Sequence, residues 1–179
     1  MTMLLIMEAA DSGKIALTDT VTASEAAAAK GGSQVYLKVG ENMPVSDMLK
    51  AIAVSSANDC ACAMAELIAG SESAFVELMN QKAAELAMRS THFCNPTGLH
   101  DPEHVSTVRD MARLLRAAMQ NETFRAILSA GRYTVPATDL HPEGFTMTST
   151  FWAELGDVSL RKVQFLGGKT GYTSAAGPC

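Results

Sequence analysis

The feature that most constrains this chain is a change of period at Gly131. Upstream of it, apolar residues recur at helical spacing. "VSDMLKAIAVSS" sets Val45, Met48, Leu49, Ile52 and Ala53 on one stripe, and "ESAFVELMNQKAAELAM" does the same with Phe75, Leu78, Met79 and Leu86. Downstream, "RYTVPA", "FTMTSTFW", "RKVQFL" and "GKTGYTSAAG" are β-rich with turns between them. Helices first and strands last predict an α+β protein, or an α/β layer fold with an antiparallel sheet. One domain is expected over 1–179, with a helical cluster over about 1–130 packed on a sheet over about 131–179.

Local signals divide the helical part. Met1 to about Asp11 reads as a helix closed by Ser12-Gly13, with Gly13 suited to the left-handed position after a helix end. "QVYLKV" alternates between Gly31-Gly32 and Gly40 and reads as a strand. "SSANDCACAMAELIAG" is a short helix ending at Gly70, and Ser71 can cap the next one. "THFCNPTGLHDPEH" is a loop, because Asn95-Pro96, Gly98 and Pro102 punctuate it. "STVRDMARLLRAAMQ", capped by Ser106 or Thr107, and "ETFRAIL" are further helices.

Composition narrows the function classes. Apolar residues make up 47% of the chain and charged ones 18%, which supports a core and argues against disorder. A net charge of −5 lacks the basic face of a nucleic-acid binder. No apolar run reaches the roughly 18–20 residues of a membrane span. "MTMLLIM" has neither the basic start nor the cleavage site of a signal peptide. Cys60, Cys62, Cys94 and Cys179 fit no metal framework and read as buried free thiols that act as small apolar residues. No metal or organic cofactor is implied. "HDPEH" sets His100 and His104 four apart, but Pro102 interrupts any zinc helix and Glu103 is misplaced, so a solvated loop is expected. Asp110 reads as favourable charge at a helix start. The methionines read as core filler, and Gly31-Gly32 lacks phosphate-loop spacing.

Two short motifs carry chemistry. "VSSAND" places Ser56-Ala57-Asn58 at the junction of two helices, and "GGKTGYT" places Lys169-Thr170-Gly171 on an expected strand near the far end. Each is weak alone. Together they match the later two parts of the serine acyl-transfer pattern S-x-x-K, S-x-N, K-T-G. The Ser56 hydroxyl can pass a proton between nucleophile and leaving amine. The Asn58 amide can hold a substrate carbonyl and a neighbouring Lys. Lys169 supplies a fixed positive field, Thr170 a hydroxyl for a substrate carboxylate, and the Tyr172 N–H an oxyanion donor. Gly171 lets substrate lie against the strand as an added strand.

At this point the chain resembles a known family, the serine-type D-alanyl-D-alanine carboxypeptidases of the peptidase S11 type, which are low-molecular-mass penicillin-binding proteins. "GGSQVYLKVGE", "SSAND", "THFCNPTGL", "STVRDMARLL" and "GGKTGYTSAAG" resemble that family's segments in order. The resemblance implies a β-lactamase/DD-peptidase-like fold and an acyl-serine reaction on the D-Ala–D-Ala end of peptidoglycan stem peptides. It also implies β-lactam antibiotics as ligands and a place in the cell envelope outside the cytoplasm. Asn95 to Leu99 would form the entry to the active site. Membrane association would come only through parts absent from this chain. The resemblance further places the S-x-x-K nucleophile directly before Met1 and further strands after Cys179. The 179 residues as written are therefore expected to be inactive and marginally stable. Ser159-Leu160-Arg161-Lys162 has the S-x-x-K spelling, but in a β-like stretch its Ser and Lys would face opposite sides. Relatives usually carry an Asn-containing stretch where this chain has "TMTSTFW". The alternatives are a class A β-lactamase-like hydrolase, whose loop Glu has no match in context here, and a non-catalytic binding fragment.

Overall fold

In a computed structural model, which describes residues 1–156, 158 and 164–178, the chain begins with α1 (Thr2–Asp11), β1 (Thr20–Thr22), α2 (Glu25–Ala28) and β2 (Asn42–Pro44). Five helices follow: α3 (Val45–Ser55), α4 (Asn58–Ala69), α5 (Glu72–Glu85), α6 (Val108–Ala118) and α7 (Glu122–Leu128). The last part holds β3 (Arg132–Val135), β4 (Phe145–Thr148), α8 (Thr150–Leu155), β5 (Tyr172–Thr173) and β6 (Gly177–Pro178).

Helix α4 is the axis of the helical cluster. Its run Cys60-Ala61-Cys62-Ala63-Met64-Ala65 is buried on every side, as expected of a helix apolar all round. Small side chains let α1, α2, α3, α5 and β1 pack against it. Ile6 and Met7 of α1, Met48 and Leu49 of α3, and Phe75 of α5 complete the core. Helix ends follow local chemistry. Gly70 closes α4 at φ 80° and Gly13 follows α1 at φ 73°. Ser71 and Thr107 cap α5 and α6 by accepting from Ala74 N and Asp110 N. No helix among the described residues is long and apolar enough to cross a membrane.

The fold is α+β, but the sheet part departs from the expected order. Among the described residues the strands form three separate antiparallel pairs, β1–β2, β3–β4 and β5–β6. The first lies among the helices, and α8 lies among the late strands. "FTMTSTFW" is strand only to Thr148. Ser149 then caps α8, so Thr150, Phe151 and Trp152 are helical despite their β propensity. A short helix, α2, also occupies the Ala-rich stretch, capped by Ser24.

"QVYLKV" is not a strand. Its alternation survives, with Val35 and Leu37 buried and Tyr36 71% exposed. Its backbone groups go elsewhere, however. The N–H groups of Val35 and Leu37 donate to the Asp59 carboxylate at 3.1 and 3.0 Å, and Tyr36 takes a left-handed φ of 63°. A buried carboxylate replaces the neighbouring strand.

Lys169-Thr170-Gly171 likewise precedes a strand instead of lying in one, since β5 begins at Tyr172. Ser159 to Lys162 and Cys179 lie outside the described residues. Cys60 and Cys62 are buried free thiols, whereas Cys94 is only half-buried, and burial is the first cause holding Cys60 and Cys62 above their ordinary pKa. Cys62 is more than an apolar filler, because its thiol donates to Glu72 Oε1 at 2.8 Å.

Candidate active site

The first motif is built into the joint between α3 and α4. Ser56 ends α3 in the left-handed conformation, at φ 60° and ψ 35°, and is half-buried. Its N–H and that of Ala57 both donate to the Ala51 carbonyl. A non-glycine residue in this conformation costs roughly 1–2 kcal/mol. Tyr36 and Ala87 also have positive φ, so strain alone does not mark the site.

Ala57 is buried, and Asn58 opens α4 at 6% exposure. Asn58 is held twice by one neighbouring loop. Its backbone N–H donates to Ser33 O at 2.8 Å, and its side-chain Nδ2 donates to Gly31 O at 2.8 Å. The next residue, Asp59, is fully buried and receives the N–H groups of Val35, Leu37 and Cys60. Its charge also suits the N-terminal turn of α4. Asn58 and Asp59 thus fasten 31–37 across the start of α4.

The loop at 95–99 closes the same corner. The Asn95 carbonyl Oδ1 accepts from Thr97 N, Gly98 N and the Thr97 hydroxyl, while Asn95 Nδ2 donates to Leu99 O at 2.9 Å. The Leu99 side chain reaches the Gly32 backbone. Thr2 Oγ1, in the first turn of α1, donates to Pro96 O at 2.6 Å. The start of α1, loop 95–99, loop 31–33 and the Ser56-Asn58 joint therefore form one connected corner.

"HDPEH" belongs to the same loop. Among the described residues no group of three or more His, Cys, Asp or Glu side chains is placed to hold a metal ion. His104 Nδ1 accepts from Cys94 N at 3.3 Å, and burial, partly offset by Asp101, lowers its pKa. Desolvation and the hydrogen bond to Asp101 push the Cys94 thiol up, so it stays protonated at neutral pH. Asp110 does more than place charge at a helix start. Desolvation opposes its ionisation, but Ser90 N–H, the Thr91 hydroxyl and Arg113 outweigh it and hold the carboxyl below its ordinary range.

The second motif rests on α7 and α8. Gly167, at φ 153°, lies against the end of α7, where a Cβ would come 2.7 Å from Leu128 O. Gly168 lies against the Phe151 ring of α8. The Thr170 hydroxyl pairs with the Thr150 hydroxyl, the first residue of α8. The Lys169 ammonium is exposed and donates to Thr170 O. Tyr172 is 75% exposed, and its residue pairs with Pro178 across the β5–β6 hairpin. Helix α7 in turn packs on α3, the helix that ends in Ser56. The two motifs are thus carried by neighbouring elements. Leu99 lies in the loop that the family resemblance placed at the site's entry, whereas Gly32, Asp59 and Thr150 come to the two motifs without any local signal in the sequence, because each acts on a partner far along the chain.

Two open cavities, of about 590 and 390 Å³, lie around the far end of α1, beside Asp11 and Thr123 and beside Gln120 and Asn121. Neither is lined by a motif residue.

A helical cluster with antiparallel strand pairs, joined to an S-x-N turn and a K-T-G segment, defines the class of DD-peptidase and β-lactamase-like folds. Within it, the model of the D-alanyl-D-alanine carboxypeptidase family, peptidase S11, matches residues 1–179, and the chain belongs to that family. It is 43% identical over 183 residues to D-alanyl-D-alanine carboxypeptidase DacF of Bacillus subtilis, covering 100% of this chain and 44% of that protein. Among solved structures, penicillin binding protein 6B from Escherichia coli superposes with a TM-score of 0.85 at 31% identity, over 99% of this chain and 55% of that one. The Streptomyces K15 DD-transpeptidase gives 0.84 at 25% identity, over 99% of this chain and 71% of that one. The chain spans less than half the length of the curated relative from Bacillus.

Proposed function

We propose that the protein carrying this chain is a serine-type D-Ala–D-Ala carboxypeptidase acting on peptidoglycan stem peptides in the cell envelope, outside the cytoplasm. A serine from an S-x-x-K segment attacks the carbonyl carbon of the penultimate D-Ala. The peptide C–N bond breaks, and the Ser56 hydroxyl relays a proton to the departing D-Ala amine. Water then hydrolyses the acyl-serine ester. Asn58 orients the acyl side of the substrate and the S-x-x-K lysine. Lys169 and the Tyr172 N–H stabilise negative charge, and Thr170 binds the terminal carboxylate. Gly171 leaves room for the substrate backbone. β-Lactams enter as mimics of the same dipeptide. None of these steps calls for a metal or an organic cofactor.

The observation that carries this reading is the fixed Ser56-Asn58 joint. A left-handed serine is followed at once by an amide held by two hydrogen bonds. Polar groups fixed in advance are what acyl transfer needs, since they cost no reorganisation during the reaction.

The test reads the coding DNA around the Met1 codon, expresses the full product of the gene and incubates it with a fluorescent penicillin. A long-lived covalent adduct and release of D-Ala from a D-Ala–D-Ala peptide support the proposal. Rapid penicillin turnover without D-Ala release would point to a β-lactamase. No adduct at all would leave a binding protein.

A further inference from the structure

We infer that Gly32 is a positioning residue for the acyl-transfer site: its missing side chain lets the Gly31 carbonyl take one N–H of the Asn58 amide and so fixes which way that amide faces. The inference rests on the functional reading above and adds a residue to it.

The chemistry of the contact sets the orientation. A backbone carbonyl can only accept. The atom of the Asn58 amide 2.8 Å from Gly31 O is therefore the NH₂ group. A flipped amide would set oxygen against oxygen. With Nδ2 fixed on Gly31, the amide Oδ1 and the second N–H are left for other partners, the acceptor and donor that a lysine ammonium and a substrate carbonyl require.

The space for this contact exists only because residue 32 is glycine. A Cβ there would lie 2.7 Å from Asn58 Nδ2 and 3.2 Å from Leu99 Cδ2. The first is closer than real Cβ contacts come, so one methyl forces the Asn58 amide to move. The Leu99 side chain closes the other direction, and its loop is tied down by Asn95. Gly32 also has a φ of 77°, which disfavours any L-side chain. Gly13 shares that conformation, at φ 73°, but a Cβ there meets nothing within 4 Å. The two glycines separate backbone strain from displacement of Asn58.

The experiment uses the full gene product, with fluorescent penicillin acylation rate and melting temperature as readouts. Gly32→Ala is expected to acylate about 10- to 100-fold more slowly, the scale of a misplaced catalytic group. Gly13→Ala, with the same strain, should lower the melting temperature and leave acylation within about twofold, since it displaces nothing at the site. In an Asn58→Ala background, Gly32→Ala should have little further effect on acylation, because both act through one amide. Gly32→Ala that folds and acylates at the wild-type rate overturns the inference. So does a loss that adds fully to that of Asn58→Ala.

If Gly32→Ala does not fold, the ¹⁵N-labelled wild-type protein decides. One Asn58 side-chain proton should exchange slowly with water and the other rapidly. Two equally exposed protons overturn the inference. A wild-type protein that takes no penicillin label while showing one protected proton would sink the functional reading and leave the amide assignment standing.

Discussion

The two motifs sit in unlike parts of the molecule. Ser56-Asn58 is framed by the helical core, where Met48, Leu49, Met64 and Phe75 are fully buried and Asp59 ties a loop to the start of α4. Lys169-Tyr172 lies in a segment with Leu166 and Tyr172 exposed, seated by two glycines against α7 and α8 and by one pair of threonine hydroxyls. Burial orients the first motif. Close backbone approach orients the second. Substitutions in the core that frames the first should therefore cost much stability, and those in the exposed segment that carries the second should cost little.

The largest break in that contrast should come from Phe75→Ala, which empties the space of a fully buried ring in α5. It should cost about 3–5 kcal/mol in urea unfolding. Leu166→Ala, at a half-exposed side chain of the second segment, should stay within about 0.5 kcal/mol. Equal losses would abolish the distinction. Asp59→Ala comes next. It strands the N–H groups of Val35 and Leu37, each worth about 1–3 kcal/mol when buried without a partner. Amide exchange at those two positions should accelerate with the drop in stability, and unchanged exchange would contradict the role given to Asp59.

A smaller, pH-dependent effect belongs to Glu41, which ties the helical part to the loop between β3 and β4. Its buried carboxylate receives the Thr138 hydroxyl, the Lys38 N–H and His141 Nδ1, the first and last at 2.7 Å. Desolvation pushes its pKa up, but these bonds outweigh it and hold the carboxyl below its ordinary value of 4.5. A depressed folded-state pKa contributes stability that is present above pH 4.5 and lost as pH falls through the folded value. Wild type should therefore lose melting temperature more steeply below pH 4.5 than Glu41→Gln does. At neutral pH Glu41→Gln should cost about 1.5–3 kcal/mol, the range for hydrogen bonds to a charged group. Parallel pH profiles would remove Glu41 as the cause.

What the sequence disclosed divides along the same line. Ser71, Thr107 and Gly70 act within one helical turn, and their neighbours in sequence were enough to read them. The signals for α2 and α8 were also local, in Ser24 and Ser149, but alanine monotony hid one and the β propensity of Thr150, Phe151 and Trp152 hid the other. Val35 and Leu37 kept a strand's alternation while a carboxylate more than twenty residues away took their hydrogen bonds, which no local pattern can show. At the site, Ser56, Asn58 and Lys169 were legible only as a pair of motifs in order. Leu99 was placed beside them only by the family resemblance, and Gly32 and Thr150 were not legible, because their roles arise from contacts between distant segments.

The smallest expected stability effect is at Tyr172, and it sharpens the contrast most directly. Its side chain is 75% exposed at the start of β5, so Tyr172→Ala should change unfolding free energy by less than about 0.5 kcal/mol. The role proposed for this residue belongs to its backbone N–H, which alanine keeps. Tyr172→Ala should therefore retain penicillin acylation within a few-fold. Tyr172→Pro removes the N–H at the same exposed position. If that group is an oxyanion donor, acylation should fall by about 10²–10³, the loss seen on removing one such donor. Stability should change far less than in Phe75→Ala. A proline variant that acylates normally would take Tyr172 out of the site. An alanine variant as slow as the proline one would move the function from the backbone to the ring.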